Sequence, residues 1–135
     1  MKKYIYITFL LIFSIGYSQK DEPLYLKGNF KITAIDSLKN YYYLISAVNN
    51  DSLFIKIFIK KPSRRVLKKT RKDKEYSKIM LNKNYYFNLE SMTWNMGYLP
   101  TEKIIMEHNT VIWDRKTSNF FVYETKEFKG LYLKK

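Results

Sequence analysis

The chain reads as one small all-β domain, and three observations predict it. Helical periodicity is scarce, while β-branched and aromatic residues are dense. The apolar runs are short and are separated by Asn, Asp, Lys and Gly. One run, Leu53 to Lys60, alternates strictly. Leu53, Ile55, Ile57 and Ile59 fall on one face, and Phe54, Lys56, Phe58 and Lys60 on the other.

Before the domain comes a different kind of segment. Met1-Lys2-Lys3 is a short cationic start, Tyr4 to Ile15 is a nearly unbroken apolar run, and Gly16-Tyr17-Ser18 ends it. Small residues then stand at −3 and −1 of a cut before Gln19, which is the layout of a secretory signal peptide. The expected division is a signal peptide over residues 1–18 and a single domain over 19–135. The expected location is secreted or periplasmic. The competing reading is an uncleaved anchor, but the apolar core falls short of the roughly twenty residues that span a bilayer. Cysteine is absent, which excludes lipoprotein processing, disulfides, thiolate metal sites and a cysteine nucleophile.

Lys27 to Ile35 is the first expected strand, with Phe30, Ile32 and Ala34 on one face. Asp36 to Asn40 is a connection with turn residues at both ends. Tyr41 to Val48 is the second strand, and Asn49-Asn50-Asp51 signals a tight hairpin into the third. Lys78 to Leu81 and Tyr85 to Glu90 read as a strand pair across Asn82-Lys83-Asn84. Ser91 to Pro100 is an irregular loop. Thr101 caps an expected short helical turn before Ile104 to Glu107. Two or three further strands are expected, around Thr110 to Asp114, Asn119 to Thr125 and Gly130 to Lys134.

After the third strand Pro62 breaks the pattern. The formal net charge is +13. Lys60 to Lys78 holds ten basic residues against only Asp73 and Glu75. Val66 and Leu67 are the only aliphatic residues between Ser63 and Ser77, so the segment reads as an exposed loop or a poorly docked short helix. As a helix it would set Lys68 against Lys72 and pair Lys69 with Asp73 and Arg71 with Glu75. An A/T-rich coding bias also raises lysine, but it does not account for three of the four arginines falling here, at Arg64, Arg65 and Arg71.

Three strands, a basic insertion and further strands resemble a small OB-like or partly open β-barrel. The runs Asn29 to Ser37, Lys78 to Leu89 and Phe128 to Leu133 are similar to uncharacterised small secreted proteins of Bacteroidota-type bacteria. The resemblance implies an exported barrel and no particular activity.

The chemistry-bearing residues are sparse. His108 stands alone, with no second histidine for a zinc site or triad. The four glycines are scattered and build no phosphate loop. Asp114 and Glu124 are candidates for an acid–base pair, or are ordinary surface charges. No cofactor or metal is expected. The interleaved face Phe54, Lys56, Phe58, Lys60 either stacks ligand rings or is half covered by the protein itself. Trp94, Met96 and Tyr98, with Met92, either form an aromatic interface or plug one end of the barrel.

The leading expectation is therefore a non-catalytic, exported binding protein of the cell envelope. It would engage an anionic surface or another envelope protein through Lys60, Lys61, Arg64, Arg65, Lys68, Lys69, Arg71 and Lys72. Nucleic acid is not the expected partner in the exported compartment. The alternatives are a structural accessory subunit of an envelope complex docking through the aromatic loop, and a small carboxylate-dependent hydrolase.

Overall fold

A computed structural model describes residues 24–93, 103–106 and 109–135. The expected signal segment, the loop residues Trp94, Met96 and Tyr98, and His108 lie outside the described residues. Among the described residues the fold is all-β with one short helix. In chain order the elements are β1 (Tyr25–Leu38), β2 (Tyr42–Val48), β3 (Phe54–Lys60), α1 (Arg64–Lys72), β4 (Tyr76–Lys78), β5 (Asn84–Ser91), β6 (Lys103–Met106), β7 (Thr110–Asp114), β8 (Phe121–Glu124), β9 (Phe128–Lys129) and β10 (Tyr132–Lys134).

Five strands follow one another in a closed ring, in the order β1-β2-β3-β8-β5 and back to β1. The β3–β8 pair is parallel and the other pairs are antiparallel. One strand serves two neighbours because β1 is long. Tyr25 to Lys31 pairs with β5, and Lys31 to Leu38 pairs with β2. The register slips between Ile32 and Ala34, a bulge that bends the strand between its two partners. The β2–β3 hairpin forms where the asparagines predict it. The Asn49 side chain accepts from the backbone N–H groups of Asp51 and Leu53, and Ser52 takes the left-handed conformation that closes the loop.

The inward face carries the core. Phe30, Ile32, Ile45, Ala47, Ile55, Ile57, Phe87, Leu89 and Tyr123 are buried together. Ile55, Ile57 and Ile59 are all inward, as the alternation of β3 predicts. A second cluster lies on the opposite face of β2, β3 and β8. There the β6–β7 hairpin lays Ile112 and Trp113 over Tyr42, Leu44, Phe58 and Val122. The third layer is a small sheet, β4-β10-β9, on which α1 packs.

One sequence expectation is corrected. Lys78 to Leu81 does not pair with β5. Its strand, β4, pairs with β10 at the far end of the chain. The Asn82 turn is held instead by β1, with Asn82 N–H donating to the Ile32 carbonyl at 2.8 Å and Ile32 N–H to the Lys83 carbonyl at 3.0 Å. The helical turn expected after Thr101 falls on residues 101–102, outside the described residues, and the chain from Lys103 on is the strand β6, paired with β7. Among the described residues no helix is long and apolar enough to cross a membrane.

Candidate functional site

The basic segment folds as a helix because its ends are well capped, not because it has a wide apolar stripe. Ser63 is the N-cap, its Oγ accepting from Val66 N–H, and Asp73 ends the helix in extended backbone. Thr70 is buried, its hydroxyl donating back to the Val66 carbonyl at 2.8 Å. Leu67 is half-buried beside it, and Val66 is exposed. At 100° per residue, Arg64, Arg65, Lys68, Lys69 and Lys72 fall within one continuous outer arc. All five are exposed. Arg71 lies on the flank between that arc and the docked side.

The electrostatics of α1 run against its own stability. No acidic residue occupies the first turn, where the helix dipole would favour one, and Arg64 and Arg65 stand there instead. Lys69, Arg71 and Lys72 suit the C-terminal end. The expected Lys69–Asp73 and Arg71–Glu75 pairs do not form. The chain leaves helical geometry at Asp73, so i,i+4 spacing no longer sets those partners side by side, and Asp73 Oδ1 accepts from Glu75 N–H. The outer arc is thus cationic without internal neutralisation.

Lys60 and Lys61 part company. Lys60 is exposed at the end of β3. Lys61 turns toward the β1–β2 connection, where its Nζ donates to Ser37 Oγ and lies 4.6 Å from the centre of the Tyr43 ring. It lines a cleft of about 260 Å³ between α1, the β1–β2 turn and β10, which Tyr43, Arg71, Lys78 and Tyr132 also line. Gly130 forms part of the same wall. Its φ is +60°, and a Cβ there would stand 3.0 Å from Pro62 Cδ.

The other candidates fare differently. The interleaved face of β3 is closed to any ring-stacking ligand at Phe58, which is buried with its ring centre 5.0 Å from that of Tyr42. Lys56 lies with its Nζ 4.4 Å from the centre of the Phe120 ring. Phe54 and Lys60 remain exposed. Of the aromatic-loop group, Met92 is half-buried against the second cluster, and Trp94, Met96 and Tyr98 lie outside the described residues.

The two carboxylates singled out in the sequence, Asp114 and Glu124, line separate pockets. Asp114 bonds Lys116 N–H at 2.9 Å and the Lys103 ammonium at 3.2 Å, and together these hold its carboxyl below the usual carboxylate range. Asp114 belongs to the β6–β7 hairpin and its following turn. Glu124 lines a separate open groove of about 420 Å³ with Glu90 and Glu127. Glu90 and Glu124 face each other across the β5–β8 ladder and are both exposed. Glu127 clamps Asn88, whose side-chain amide donates to it at 3.0 Å. Among the described residues no group of three or more metal-ligating side chains is placed to hold an ion. Comparison with family models, with curated proteins and with solved structures finds no match.

Proposed function

We propose that this is an exported, non-catalytic binding protein of the cell envelope, built on an OB-like barrel, whose α1 engages an anionic surface. The strand order, the parallel β3–β8 closure and the helix after β3 support the OB-like reading. The observation that carries the functional reading is the outer arc of α1. Five cations share it, no carboxylate interrupts it, and two arginines oppose the helix dipole. Coding bias toward lysine supplies neither the arginines nor their placement. In an OB-like barrel the β2–β3 face is the usual ligand platform, and here the protein's own hairpin covers much of it. That shifts the reading from base stacking to charge.

The test is binding to vesicles of phosphatidylcholine with added phosphatidylglycerol, against pure phosphatidylcholine. The expected result is binding only to the anionic vesicles, weakening steeply from low to physiological salt. Joint replacement of Arg64, Arg65, Lys68, Lys69 and Lys72 by Gln should abolish it. Wild-type protein that ignores anionic vesicles at low salt would overturn the reading.

A further inference from the structure

The cleft beside α1 has a chemistry distinct from the outer arc. Lys61 from the β3–α1 connection, Arg71 from α1 and Lys78 from β4 line it, and no carboxylate does. Neither Arg71 nor Lys78 has a carboxylate partner among the described residues. Gathering three cations around one space raises the energy of the folded state unless an anion enters it. Lys61 is already fixed by Ser37 and by the Tyr43 ring, so little side-chain entropy remains to be lost there on binding. Arg71 offers a planar fork suited to two oxygens of one tetrahedral anion, and Lys78 a point charge. A phosphate monoester carries about −1.5 to −2 at neutral pH, which offsets more of the three positive charges than a singly charged anion would. The volume of about 260 Å³ exceeds what a phosphoryl group fills, leaving space beside Tyr43 and Tyr132 for the group that bears it.

We infer that this cleft is a binding site for a phosphomonoester on a small polyol or sugar. The inference rests on the reading of α1 as an anion-engaging element and gives that element a discrete pocket. The same phosphoryl group is found on a soluble sugar phosphate or on a lipid head group, and the experiment separates these sources.

Titration calorimetry and ¹H–¹⁵N spectra would be run with inorganic phosphate, with glycerol 3-phosphate, and with vesicles of phosphatidylcholine containing phosphatidic acid. Glycerol 3-phosphate should bind saturably, and more tightly than inorganic phosphate. Amide shifts should centre on Lys61, Gly130, Leu131 and Tyr132. Arg71→Gln and Lys78→Gln should each weaken binding by about tenfold, the loss of one charged hydrogen bond. Arg64→Gln and Lys68→Gln, on the outer arc, should leave it within about twofold. A lipid source would show as phosphatidic acid vesicles binding with the same Arg71 and Lys78 dependence, and more tightly than glycerol 3-phosphate. The inference is overturned if neither phosphomonoester binds saturably at low salt, or if the shifts and losses follow the outer arc alone. Vesicle binding that survives in Arg71→Gln and Lys78→Gln but fails in the five-residue variant would remove the cleft and leave the surface reading standing. Loss of both in wild type would remove both.

Discussion

The ring of strands carries two insertions, and they are used in opposite ways. The β6–β7 hairpin precedes β8 and brings Ile112 and Trp113 down on an aromatic surface made by Tyr42 and Phe58. The helix α1 follows β3 and brings down little more than Leu67 and Thr70. One insertion converts an outer sheet face into a second core. The other is held by caps and presents charge. Burial per residue decides which insertion stabilises the fold, and unneutralised charge decides which is available to a partner.

The sharpest break of that comparison is at Trp113. It is 5% exposed, and its indole N–H donates to the Phe120 carbonyl at 2.7 Å. Trp113→Ala should cost about 3–5 kcal/mol in urea unfolding, the range for removing a buried large aromatic. A cost under about 1 kcal/mol would make the hairpin a loosely laid flap. The two insertions would then be alike.

Gly130 tests the seat of the helix side. Its left-handed backbone and the 3.0 Å approach of Pro62 leave no room for a Cβ without movement. Gly130→Ala should lower stability by about 1–2 kcal/mol from backbone strain alone, and it should reduce glycerol 3-phosphate affinity by shifting the cleft wall. Loss of stability without any change in affinity would separate this turn from the cleft.

What was legible in the sequence follows the range of the interactions. The β3 alternation and the Asn49 hairpin are local, and both are present where residue pattern places them. The cluster of basic residues is legible for the same reason. The pairing of β4 is not legible locally, because its partner, β10, is brought alongside only by the completed fold. The burial of Phe58 depends on Trp113, which its own strand pattern cannot report. The cleft was hidden because Tyr43, Lys61, Arg71, Lys78 and Tyr132 are separated along the chain. Only the excess of cations near α1 hinted at it.

Asp114 sharpens the comparison through pH. Its carboxyl is held below the ordinary value, first by the Lys116 N–H and then by Lys103. A depressed folded-state value stabilises the fold fully above the unfolded value of about 3.9. That contribution is lost as pH falls through the unfolded and then the folded value. Wild type should therefore exceed Asp114→Asn in denaturation midpoint from pH 5 to 8, and the gap should close below about pH 4. A gap that widens in acid would give the wrong sign and remove Asp114 from the hairpin's support.

The smallest expected stability effect belongs to the outer arc of α1. Arg64, Arg65, Lys68, Lys69 and Lys72 are exposed and touch no apolar cluster. Arg64–Lys68, Arg65–Lys69 and Lys68–Lys72 are like charges at i,i+4 spacing, each unfavourable by a few tenths of a kcal/mol. Arg64 and Arg65 also oppose the dipole in the first turn. Gln is nearly as good a helix former as Lys or Arg. Replacing all five by Gln should leave the melting temperature unchanged or raise it slightly, while removing vesicle binding. A fall in melting temperature of the size expected for Trp113→Ala would mean that these side chains hold the helix in place. The basic segment would then be a structural element like the hairpin, and its charge would no longer argue for a partner.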